Sequence, residues 1–159
     1  MVALAAAPGL LAGIYIFAAS FFGLTLDQLG AKAVLMHFGI FALAIPLAVV
    51  DRWHARVLNP FRGKPLWALR STQILFLIFV GLFVTFLVMS HVASPEVIKG
   101  DYVLNDHGRI VAHISERDYL SLKGWELRLF AAGWMLSYYA VIIQWWFPRQ
   151  DEWTVAMPD

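Results

Sequence analysis

Cysteine is absent from the 159 residues of the chain. That excludes disulfides, thiolate metal sites, iron–sulfur clusters and covalently attached c-type haem. Charge is the second scarcity. Charged side chains make up 14% of the sequence, against about 25% in an ordinary soluble domain. With a net charge of +1 and no dense basic stripe, there is no electrostatic footprint for nucleic acid. Positive charge is also missing where a secretory leader needs it. No Lys or Arg precedes Lys32, so MVALAAAPGLLAGIYIFAAS is expected to be a retained first span, with Pro8 in its first helical turn.

What remains is apolar. Hydrophobic residues account for 60% of the chain and aromatics for 15%. A helix needs about 20 residues to cross the hydrocarbon core, and four runs reach that length, at about 8–26, 31–50, 72–91 and 127–147. The expected fold is an all-α integral membrane protein, a four-transmembrane-helix bundle forming a single membrane domain over residues 1–159. The loop 51–71 carries Arg52, Arg56, Arg62, Lys64 and Arg70, and basic residues beside a span resist translocation. This orientation puts both termini and the tail 148–159 in the cytoplasm. The connection 92–126 then lies outside, and the expected location is a bacterial cytoplasmic (inner) membrane. Arg52, Trp53, Arg56, Arg62, Lys64, Trp67, Trp145 and Trp146 are expected to anchor the chain among lipid headgroups.

Small residues mark close helix approach. Gly9 and Gly13 form a G-x-x-x-G pair, and Ala19/Gly23 and Ala44/Ala48 repeat the spacing. Pro46 is expected to kink the second span.

Between spans three and four the sequence turns polar. Asn105-Asp106-His107-Gly108 predicts a three-residue β-hairpin turn with a glycine bulge. Closing Asn105 on Arg109 sets Leu104 opposite Ile110 and Asp101 opposite His113. Alternation then gathers Tyr102, Leu104, Ile110, Ala112 and Ile114 on one apolar face. Tyr102, Leu104, Ile110 and Ile114 are the candidate partner-contact residues. Ser115-Glu116-Arg117-Asp118 fits a helix cap, and the short helix that follows is expected to bend at Gly124 before span four.

Chemistry-bearing side chains are sparse inside the spans, which hold no Asp, Glu, Lys or Arg away from their ends. That disfavours a proton relay or transporter. No G-x-S-x-G or H-E-x-x-H occurs, so no hydrolase motif supplies a catalytic residue. His91, His107 and His113 lack the clustered spacing of a metal motif. His37 and His91 could ligate haem b from two spans. Trp134 and Tyr138, four apart in span four, form either a quinone-headgroup face or helix-packing surface. The expected role is a non-catalytic accessory or scaffolding subunit of a larger membrane complex, as a hetero- or homo-oligomer. The competing reading is a haem b- or quinone-binding redox module using His37, His91, Trp134 and Tyr138. A third is a membrane enzyme or transporter without an identifiable motif.

Overall fold

In a computed structural model of the chain, residues 2–50 and 64–147 are described, with the backbone alone for 2, 3, 46–50 and 145. Arg52, Trp53, Arg56, Arg62 and Pro148 lie outside the described residues, as does the side chain of Trp145.

Among the described residues, five helices carry the fold. Helix α1 (Val2–Ala19) tightens into a 3₁₀ turn (Ser20–Phe22) and stops at Gly23, whose φ of 95° favours a residue without Cβ. A single turn, α2 (Leu26–Leu29), is held by a capping box between Thr25 and Gln28. Then follow α3 (Ala31–Val50), α4 (Leu66–Met89) and α5 (Glu116–Trp146). Among the described residues, three stretches are long and apolar enough to cross a membrane: Leu4–Phe22, Leu66–Met89 and Glu116–Gln144. The apolar part of α3 with described side chains is shorter, Ala31–Ile45.

Several boundaries differ from expectation. Helix α1 begins at Val2, so Pro8 sits inside it rather than in its first turn. Helix α4 starts at Leu66 and takes in Trp67 and Arg70, which the loop 51–71 was expected to hold. The bend at Gly124 does not occur. Ser115 Oγ accepts from Asp118 N at 3.1 Å as expected of the cap, and the helix then continues unbroken through Gly124 to Trp146.

Helix α5 is the hub. Helices α1, α3 and α4 each pack on it, whereas α3 and α4 stand apart among the described residues. The α1 contact explains the G-x-x-x-G pair. A Cβ at Gly9 would collide with the Tyr138 ring, and one at Gly13 would come within 3.0 Å of Met135. Gly39 of α3 receives the Tyr138 hydroxyl in the same way, and that hydroxyl donates to the Met36 carbonyl at 2.9 Å. Tyr138 is therefore a knob seated between two glycines on two helices. In lipid such close packing, rather than expulsion of water, supplies most of the attraction. Helix α4 meets α5 through small and hydroxylated residues: Ala68 and Thr72 are buried, and the Ser71 and Tyr139 hydroxyls bond one another. At that end Lys64 Nζ donates to the Phe147 carbonyl, and the Trp67 and Phe147 rings meet edge-on at 5.5 Å.

The polar insertion is a three-stranded antiparallel sheet, not a lone hairpin: β1 (Ser94–Ile98), β2 (Asp101–Asp106) and β3 (Arg109–His113), in that order. Strand β1 was not foreseen, because Pro95 lies in it. An edge strand tolerates proline, since only one side must pair. Both turns hold two residues, Lys99-Gly100 and His107-Gly108, with φ values of 54°, 94°, 50° and 92°. Positive φ at both central positions is the type I′ pattern, whose twist matches that of the strands. Asp106 therefore pairs with Arg109 instead of sitting in the turn, and a bulge between Leu104 and Asn105 resets the register. His113 faces Val103, not Asp101. Leu104 packs with Ala93 and Leu122, supported by Ala112 and Ile114, and the Tyr102 and Tyr119 rings lie 4.9 Å apart. The bulge pairs Ile110 with Asn105 and leaves it 44% exposed. The apolar face of the sheet thus rests largely on the first turns of α5.

A candidate binding groove between α3, α4 and α5

Because α3 and α4 each lean on α5 without meeting, a groove of about 560 Å³ runs between them. Its lining is overwhelmingly apolar. Helix α3 contributes His37, Ile40 and Phe41, and α4 contributes Phe79 and Phe83. The floor belongs to α5, with Phe130, Gly133, Trp134 and Ser137 among its residues.

Three i, i+4 pairs converge here, and residues four apart in a helix share a face. They are His37/Phe41 on α3, Phe79/Phe83 on α4 and Phe130/Trp134 on α5. The Phe79 and Phe83 rings run nearly parallel at 6.4 Å, and those of Phe130 and Trp134 at 6.2 Å. His37 stands edge-on to both α5 rings, 5.5 Å from Phe130 and 5.2 Å from Trp134. Gly133 leaves the floor low: a Cβ there would approach Phe79 to 3.3 Å.

Polar groups are few and specific. His37 Nδ1 lies 2.9 Å from the Ala33 carbonyl. A carbonyl can only accept, so Nδ1 carries the proton and Nε2 of the neutral ring presents a lone pair. Ser137 Oγ makes no hydrogen bond among the described residues, even though it lines the groove. Trp134 Nε1 is buried without a partner. An unpaired polar atom in an apolar setting costs free energy until something satisfies it.

The other site candidates fall elsewhere. Tyr138 is committed to the α1–α3 seam through Met36, so it is not part of the groove. His91 lines a separate cleft of about 340 Å³ beside Asp106 and Arg109. His37 and His91 thus line different clefts. His107 Nδ1 lies 2.6 Å from Asp106 Oδ1 at the exposed sheet tip. No group of three or more His, Asp or Glu side chains placed to hold a metal occurs among the described residues. Of the lipid-interface candidates, Trp67 and Trp146 are exposed, 55% and 62%, while Lys64 bridges α4 to the end of α5.

Sequence reasoning missed Phe41, Phe79, Phe83 and Gly133. The three parallel i, i+4 pairs were the available signal, but they point at one another only once the helices are placed. No family model matches the sequence, and searches of curated proteins and of solved structures return no match.

Proposed function

We propose that the chain is a four-span membrane protein that binds a flat lipophile bearing a carbonyl or hydroxyl, of the quinone class, in the α3–α4–α5 groove. In this reading α1, α3, α4 and α5 are the spans, residues 51–63 face the cytoplasm and the sheet lies outside. His37 is six residues into α3 and Phe83 six residues before the end of α4. Both then sit about 9 Å below the outer boundary at 1.5 Å per residue.

The observation that carries the proposal is a single juxtaposition. An acceptor on His37 and a hydroxyl on Ser137 line a groove otherwise walled by apolar, mostly aromatic side chains. Lipid chains satisfy the rings but not the polar atoms, and a polar side chain within the membrane is a functional position by default. A ligand ring bearing a phenolic hydroxyl, as in the quinol form, satisfies both, and the volume suits a small-molecule site. The same reading joins the expected accessory role: a chain that only holds a quinone exchanges its electrons with a centre on a partner subunit.

Equilibrium binding of decylubiquinol, the reduced form whose hydroxyl can donate to His37 Nε2, to the purified protein in nanodiscs tests this. His37→Ala should weaken binding by about fivefold, the worth of one hydrogen bond of about 1 kcal/mol. Equal affinity in wild type and His37→Ala, or no saturable binding in the wild type, would overturn the assignment.

A further inference from the structure

At the sheet end of the bundle, the loop after α1 and the first turns of α5 enclose a second cleft of about 330 Å³. Its α5 wall is a stripe of Arg117, Ser121, Gly124 and Arg128. These positions are spaced by four, three and four residues, so they share one helical face. Gly124 supplies the room between the two arginines.

The charges here are uncompensated. Arg128 donates to the Ser20 carbonyl at 3.2 Å and lies over the Phe21 and Trp125 rings at 4.4 and 4.8 Å, but its Nε is buried without a partner among the described residues. Neither Arg117 nor Arg128 has an ion pair among the described residues. The nearby acids are engaged elsewhere. Asp27 accepts from Tyr119 at 2.8 Å and faces Lys123 at 3.6 Å, Glu126 pairs with Lys123 at 3.0 Å, and Asp118 belongs to the Ser115 cap. No acidic side chain lines the cleft.

The rim is apolar and open. Phe21, over which Arg128 lies, is 59% exposed, and the next residue, Phe22, is 91% exposed. Two guanidinium groups and a hydroxyl favour phosphate oxygens, which arginine meets with paired donors. Exposed phenylalanines favour acyl chain. We infer that this cleft binds the phosphate of an anionic phospholipid, with Arg117, Arg128 and Ser121 on the headgroup and Phe21 and Phe22 against the chains. The site rests on the membrane-spanning reading but is independent of the groove ligand.

Native mass spectrometry of the full chain, released from nanodiscs of mixed phosphatidylglycerol and phosphatidylcholine, provides the test. Wild-type protein should retain one phosphatidylglycerol in preference to phosphatidylcholine. Arg117→Gln should reduce that retention roughly tenfold, as expected for a charge-assisted contact. Arg117 is exposed and makes no internal hydrogen bond, so its removal leaves folding intact, whereas Arg128→Gln also breaks the link to Ser20. Decylubiquinol binding, measured on the same Arg117→Gln sample, should be unchanged and so separates failure of this cleft from failure of the groove. Inorganic phosphate forms a second arm. Retention that survives millimolar phosphate assigns the site to the lipid headgroup. Displacement of the lipid by phosphate would overturn the lipid assignment in favour of a free-phosphate site. Equal retention of both lipids, unaffected by Arg117→Gln, would overturn the anionic-phospholipid site.

Discussion

Trp134 and Tyr138 stand one turn apart on α5, yet they face opposite kinds of neighbourhood. Around Tyr138 the molecule is closed: Gly9 and Gly39 remove the side chains that would block its ring, and Met36 accepts its hydroxyl proton. Around Trp134 the molecule is open: aromatic rings line both flanks, α3 and α4 diverge, and polar atoms remain without partners. Side-chain type alone does not separate the two. What separates them is whether the facing helix offers glycine at contact level. Glycine lets a helix close down on an aromatic knob, whereas bulky rings on both facing helices prop a groove apart.

The largest expected effect comes from emptying the closed side. Tyr138→Ala should destabilise the protein by about 3 kcal/mol, the lower end of the range for deleting a buried aromatic, as read from denaturant unfolding in micelles. A loss below about 1 kcal/mol would mean that Tyr138 does not organise the α1–α3–α5 seam. The complementary insult is filling the seat. Gly9→Leu should cost roughly 2 kcal/mol by overpacking against the Tyr138 ring. Its effect should shrink in the Tyr138→Ala background, because the two positions share one contact. Additive losses in that double-mutant cycle would break the knob-and-seat picture.

The outer face of α4 sharpens the same contrast with the opposite sign. Gly81 lies mid-helix, and a Cβ there would meet nothing within 4 Å. Gly81→Ala should therefore stabilise by about 0.5–1 kcal/mol through helix propensity alone. Any destabilisation would reveal that something else approaches this face. One glycine substitution that harms and one that helps would locate the closed and open sides without a structure.

Much of this was legible in the residues, and the rest failed for identifiable reasons. Long apolar runs announced the helices, and the Ser115 cap placed the start of α5 at the right residue. The continuity of α5 through Gly124 was not legible. One glycine costs a helix only about 1 kcal/mol, and packing of the surrounding turns against α1, α2 and α4 outweighs it. The sheet was misread at one point: three- and two-residue turns share the same Asn-Asp-His-Gly composition. The choice between them lies in His107 accepting a φ of 50° and in Asn105, whose Oδ1 accepts from Gly108 N at 2.9 Å and whose Nδ2 donates to Glu96 at 2.7 Å. The second of those contacts needs β1, which Pro95 concealed. For the groove, the sequence named His37 and Trp134 separately among its site candidates, and the fold brings their rings 5.2 Å apart. The sequence grouped Tyr138 with Trp134 because periodicity gives a face, not the identity of the helix opposite.

The smallest effect discriminates best between the two sides. Tyr138→Phe removes only the hydroxyl donated to Met36, and hydrogen bonds between membrane helices average about 0.6 kcal/mol. Stability should fall by about that amount, and decylubiquinol affinity should not change, because Tyr138 does not line the groove. Ser137→Ala, on the adjacent residue, should show the reverse. Its Oγ has no partner among the described residues, so stability should hold within about 0.5 kcal/mol, the usual range for a substitution that breaks no contact. Ligand affinity should drop about threefold if Oγ bonds the ligand. The pair differs by one position and one oxygen each, so general disruption of α5 cannot produce opposite outcomes. If both variants lose stability and neither loses affinity, Ser137 belongs to the closed side, and the groove holds only lipid.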